Sequence, residues 1–239
     1  IGLVGSEMCI RDRSNTSVFK GLVQKNGLSI RDGFQRYKSK RLLVIDCVDK
    51  AIQLTKTYTS DIYEDKKDSE VITALIAKTG LTKTIQSTNV KHAFLPKYNV
   101  NDWDFILQRA AINGMIVVNS DNTIAVKEPS TKGSPTLKIE HGDGLVDFEG
   151  SVDGGDQFNS LKFNNYDPFK KESSYSNASE PVLTAQGNLT GKNTAMGSSP
   201  NVTELIIPQP LEIGELSSIA DAALTLSLIH ISEPTRPID

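Results

Sequence analysis

A mostly β, α+β fold is what this sequence predicts, and three observations predict it. Short β-rich runs such as Leu42-Leu43-Val44-Ile45 and Met115-Ile116-Val117-Val118 recur along the chain. Gly, Asn and Asp clusters separate them, as turn chemistry requires. Helical period with caps is confined to a few stretches, chiefly around 68–80 and 100–114.

Taken in order, residues 17–55 read as β. Val18–Val23 is a strand broken by Gly21, Lys40–Val48 is a second and more buried strand, and Ala51–Thr57 is a third. Cys47 lies in the second run and is expected to be a buried strand residue. Nothing nearby in sequence marks it as a reactive thiol. Residues 60–80 hold a helix capped by Asp68 or Ser69. Its apolar face is Val71, Ile72, Leu75 and Ile76, and Thr79-Gly80 ends it. The charged cluster Glu64-Asp65-Lys66-Lys67-Asp68 is expected to be a solvated loop.

The most informative stretch is 91–129. Lys91–Leu95 reads as a strand and Val100–Gly114 as an amphipathic helix. Asn101 is the N-cap, and Asp104 three residues on completes a capping-box variant. Asp102 and Asp104 place negative charge where the helix dipole favours it. Trp103, Ile106, Leu107 and Ala110 fall on one face by spacing. Gly114 suits the position just past a helix end. Two strands follow, Met115–Asn119 and Thr123–Lys127, with Ser120-Asp121-Asn122 as the turn.

Residues 136–167 return to β alternation and read as the start of a β-barrel, through Leu137, Ile139, Leu145, Phe148, Val152, Phe158, Leu161 and Phe163. Residues 170–202 are polar and read as a long loop, or as a loop with one short strand at Val182-Leu183. Leu205-Ile206-Ile207 is a strand. Leu216–Leu224 is a short helix with Ile219, Ala220, Ala223 and Leu224 apolar.

The helix start Asp102-Trp103-Asp104-Phe105-Ile106, with Arg109, Ala110 and Gly114, resembles the hub region of VgrG proteins. These are spike-tip proteins of type VI secretion systems, related to late control D proteins and to tail hubs of contractile phages. Here Val100-Asn101 replaces the family's usual Glu-Ser, and Asn113 replaces an acidic residue. The resemblance spans roughly 17–224 and is most specific at 91–128. It implies the end of a truncated first hub β-barrel at 14–57 and an α/β insertion with two helices at 58–130. A second β-barrel follows at 131–213, with its polar loop at 170–202. A helix at 214–225 then leads to a spike domain outside the sequence. The eight motif residues are implied to be structural.

The two ends resemble translated sequencing-adapter DNA. Codons can be chosen for Leu226–Arg236 whose reverse strand, in one frame, encodes Leu3–Asp12. Residues 1–13 and 226–239 are therefore expected to be artefact and are set aside for fold reasoning. The expectation is an environmental DNA fragment whose gene extends beyond both ends.

Chemistry is sparse. With 26 basic and 29 acidic residues, net −3, the chain lacks an electrostatic footprint for nucleic acid or anionic membrane. With the ends set aside, Cys47 is the one cysteine left; it cannot make an intrachain disulfide, and nothing suggests a disulfide framework. His92 and His141 lack zinc spacing. Gly-x-Ser-x-Gly and phosphate-loop motifs are absent. Gly150–Asp156 lacks the ligand pattern of a calcium loop. No apolar run approaches a membrane-spanning length.

The sequence thus leads to a non-enzyme with no catalytic residues, cofactor or metal. By resemblance it is a structural hub of a contractile injection machine. The implied partners are two further copies in a homotrimer, a hexameric tube protein, and baseplate proteins or effector cargo. There is no nucleic acid and no membrane anchor. The implied location is the bacterial cytoplasm during assembly, then the secreted spike or a phage virion tail. Two alternatives remain. One is a phage baseplate hub whose downstream domain degrades peptidoglycan. The other is a carbohydrate-binding β domain, for which Tyr166, Phe169 and Tyr175 are the aromatic candidates.

Overall fold

The computed structural model describes residues 4–31, 40–130, 140–141, 144–145, 158–181, 201–208, 211 and 213–229. The chain divides into two compact units. One comprises Ile1–Gln108 with Val117–Val126, and the other Arg109–Ile116 with Lys127–Asp239. Strand is the commonest regular structure among the described residues, as the sequence predicts.

The first unit opens with an antiparallel sheet ordered β1-β2-β3, formed by β1 (Glu7–Arg11), β2 (Ser17–Arg31) and β3 (Lys40–Val48). β1 therefore lies inside the segment set aside as artefact. Gly21 does not break β2 but belongs to it, because a Cβ there would collide with the Val48 carbonyl oxygen on β3. β3 is less buried than its composition suggests, since Leu42, Leu43 and Val44 are exposed. Cys47 is half-buried, with its thiol 3.6 Å from Met8 Sδ.

The expected third strand is instead a 3-10 turn, Lys50–Thr55. The Asp49 carboxylate accepts a hydrogen bond from Ala51 N at 2.8 Å, which caps the turn and diverts the chain from extended geometry. The strand comes later, as β4 (Tyr58–Lys67). It takes in most of the charged cluster read as a loop. Those charges are tolerated because β4 pairs, among the described residues, with β6 (Lys91–Asn101) alone and leaves Glu64, Asp65 and Lys66 in solvent. A bulge sets Ser60 against Tyr98 and Asn99, with Asn99 at φ 44° and its N–H 3.0 Å from Ser60 Oγ.

Helix α1 (Asp68–Ala77) buries Val71, Ile72, Leu75 and Ile76, the face expected from spacing. Its cap differs from expectation. Lys67 is the N-cap residue, and the Glu70 carboxylate accepts the Lys67 N–H at 2.9 Å. Asp68 is drawn inward instead, onto His92 (Nε2–Oδ2 3.0 Å), with both side chains buried. Gly80 ends the turn at φ 68°.

β5 (Thr82–Ile85) pairs in parallel with β8 (Thr123–Lys127), and β7 (Ile116–Ser120) flanks β8 on the other side. Asp121 and Asn122 have φ 48° and 63°, the two left-handed residues of a type I′ hairpin turn.

The second unit carries the short parallel pair β9 (Glu140–His141) and β10 (Gly144–Leu145). Its main sheet is ordered β12-β11-β13, from β11 (Leu161–Asp167), β12 (Glu172–Asn177) and β13 (Thr203–Ile207). β12 occupies part of the stretch read as loop. β13 agrees with the expected strand, and β11 ends at the Tyr166-Asp167 step. Helix α3 (Ile213–Ile229) is longer than expected and runs past residue 225. Leu161 and Phe163 point inward and pack with Leu216 and Ala220 of α3. Among the described residues no sheet closes into a barrel. The side chains at 137, 139, 145, 148 and 152, the 150–156 loop and Val182-Leu183 lie outside the described residues.

Candidate structural site at the start of the second helix

Helix α2 (Asp102–Ile112) begins where β6 ends. Asn101 Oδ1 accepts the Asp104 N–H at 2.7 Å, and Asn101 Nδ2 donates to Asp104 Oδ2 at 2.7 Å. This satisfies one of the orphan donors of the first turn. The second arm of the box runs side chain to side chain.

Asp102 is the centre of the arrangement. Its Oδ1 accepts from Lys97 Nζ, and its Oδ2 lies 3.4 Å from Lys78 Nζ just past α1. The Lys97 side chain is 0% exposed and also donates to Thr59 Oγ1 at 2.5 Å. A lysine in the interior is tolerated when an anion and a further acceptor replace its lost hydration. Asp102 supplies that anion while its charge also complements the positive end of α2. One carboxylate thus ties together β6, the end of α1 and the start of α2, and through Thr59 it reaches β4.

This demand rotates the helix. The side chains buried on α2 are Phe105, Ile106 and Ala110, while Leu107 is 40% exposed and Trp103 half-buried. The apolar face expected from spacing is displaced by about a quarter turn, because Asp102 must point inward. Phe105 stacks at a tilt on Tyr63, with ring centroids 6.3 Å apart. Partial burial, then the charges of Asp61 and Asp102, hold the Tyr63 phenol above its ordinary pKa.

The helix ends in a full Schellman motif. Met115 N donates to Ala110 O at 2.9 Å and Gly114 N to Ala111 O at 3.0 Å, with Gly114 at φ 66°. A Cβ on Gly114 would lie 3.2 Å from Ala222 Cα of α3. Arg109 lies on the same helix, and its carbonyl accepts from Asn113 Nδ2 at 2.8 Å.

All eight motif residues therefore fall on one helix and its cap. Lys97, Thr59 and Lys78 belong to the same cluster but were not singled out by sequence, because their partner lies across a strand pair that was not foreseen. Among the described residues, no group of three His, Cys, Asp or Glu side chains could hold a metal. No described helix is long and apolar enough to cross a membrane.

The molecule is a mostly β, α+β protein, and two solved structures that share its fold are tail proteins. One is the 43 kDa tail protein of prophage MuSo2 from Shewanella oneidensis, with TM-score 0.57 and 12% identity over 94% of this chain and 61% of that one. Another is a tail protein from Neisseria meningitidis, with TM-score 0.57 and 12% identity over 92% of this chain and 63% of that one. The chain thus spans a little over three fifths of each. By family, the chain belongs to the one described as the Alg8 N-terminal domain, whose model matches residues 9–232. That description differs from the VgrG and late control D group named by the motif resemblance. No curated protein matches the chain.

Proposed function

We propose that this chain is a structural part of a phage-type tail or a related contractile injection machine, in the position of the hub between tube and spike. The shared fold with two tail proteins over more than nine tenths of the chain carries this reading. The Asp102-centred junction supports it, since it serves to fix a helix against two strands. The hub works without catalysis. It assembles as a homotrimer in the full-length protein, meets a hexameric tube protein on one side and baseplate proteins or effector cargo on others, and travels in the virion tail or on a secreted spike. Ring-closing interfaces of this kind rest on apolar burial and edge pairing.

Sequencing outward on the DNA that encodes the chain tests the reading. The expected result is a frame leading into a spike or tail-associated domain, beside genes for tube and sheath proteins. A frame that enters an unrelated catalytic domain, with no such neighbours, overturns it. A peptidoglycan-degrading domain downstream would keep the hub and add an enzyme. The family's description favours a second, glycosyltransferase-related reading. Nucleotide-sugar binding by the purified chain, measured by calorimetry, is the result expected under that reading alone.

A further inference from the structure

The sheet of the second unit has two unlike faces. One packs on α3 through Leu161 and Phe163. The other carries no packed element among the described residues, and the register fixes what lies on it. Lys162 stands between Asn177 of β12 and Glu204 of β13. In the next row Asn164 stands between Tyr175 and Ile206, and beyond it Tyr166 pairs with Ser173. Tyr175 is 62% exposed and Tyr166 52%. They sit on adjacent strands one row apart, a diagonal separation of about 7–8 Å. Phe169, 89% exposed, follows in the turn after β11.

We propose that this face binds a neutral polysaccharide. A pyranose ring has an apolar face of C–H bonds and a rim of hydroxyls. It needs a flat aromatic surface beside groups that both donate and accept. Here two tyrosines supply the flat surfaces, and the Asn164 amide lies between Tyr175 and Ile206. The charges on the face are already matched to each other. Lys162 Nζ is 3.2 Å from Glu204 Oε1 and 5.0 Å from the Tyr175 ring centroid, and Asn164 Nδ2 donates to Glu204 Oε2 at 3.0 Å. A face whose lysine and glutamate neutralise one another suits an uncharged ligand better than an acidic one. The polar rows through Asn164, Ser173 and Asn177 also break the apolar continuity that a protein interface centre would want.

The proposal is independent of the tail reading and survives its failure. The test is affinity electrophoresis and calorimetry of the intact chain with cellohexaose, chitohexaose and laminarihexaose, three uncharged glycans. The expected result is retention by at least one of them. Tyr175→Ala and Tyr166→Ala, both at exposed positions, should each weaken that binding tenfold or more with an unchanged circular-dichroism melt. Tyr175→Phe should retain most of it. No binding by the wild-type chain to any of the three overturns the proposal. So does binding that both alanine variants retain. Self-association abolished by Tyr175→Ala, without glycan binding, would instead make the face a protein interface and would equally overturn it.

Discussion

Replacing Asp102 with alanine should be among the most damaging single changes on α2, although Asp102 is a charged residue with 15% of its side chain exposed. The cost comes from what remains. Lys97, with no exposed side-chain surface, would keep Thr59 as a partner and lose its anion. Removing one member of a buried pair costs about 3–5 kcal/mol. Because Asp102 is partly solvated and shared with Lys78, the low end applies, about 3 kcal/mol, on the order of a hundredfold in the folding equilibrium. Lys97→Met removes the charge and leaves an apolar stem of similar length, so it should cost under about 1 kcal/mol. In that background Asp102→Ala should cost only about 1 kcal/mol, from the lost charge at the helix start. The coupling between the two sites is then about 2 kcal/mol. Urea unfolding followed by the fluorescence of Trp103, the sole tryptophan, measures all four proteins. A single Asp102→Ala cost below about 1 kcal/mol, or an equal cost in both backgrounds, would refute the reasoning.

Gly114→Ala should lose about 1–2 kcal/mol, since the residue sits at φ 66° and its Cβ would crowd Ala222; a thermal melt reads it. Ile106→Ala, at a fully buried position, should cost about 2–5 kcal/mol in chemical denaturation. Asn101→Ala should cost about 1 kcal/mol, and Asn101→Asp much less, if the cap to Asp104 N is what the residue contributes. The raised Tyr63 pKa means that the native state keeps a proton the unfolded chain has lost. Its stabilisation is full below the ordinary tyrosine range and is lost as pH rises through the native value. Tyr63→Phe should therefore flatten the alkaline fall in stability, measured by urea midpoints from pH about 8 to 11.

Local chemistry made much of this fold legible. Gly80 and Gly114 ended helices where they were expected to, and Asn101 capped where its side chain could reach Asp104 N. The α1 face followed from spacing alone. The misreadings share a cause, which is that the deciding partner lay elsewhere in the chain. Glu64-Asp65-Lys66 looks like a loop until β6 is found beside it, about thirty positions on. Asp68 looks like a cap until His92 takes its carboxylate. The rotation of α2 was hidden because apolar spacing ignores a carboxylate that points inward. Leu42 and Leu43 looked like core because composition measures apolarity and says nothing about what covers a strand.

The parallel pairs have a consequence for the order in which the chain folds. β11 meets β13, with Leu161 opposite Thr203, and β5 meets β8, with Thr82 opposite Thr123. Each pairing must close a loop of about forty residues before any ladder bond rewards it, which slows folding. The β7–β8 hairpin closes through Asp121 and Asn122 alone, and hairpins form within about 1–10 μs. β8 would then stand as a preformed template when β5 arrives. Lengthening that two-residue turn should slow refolding of the first unit more than it speeds its unfolding.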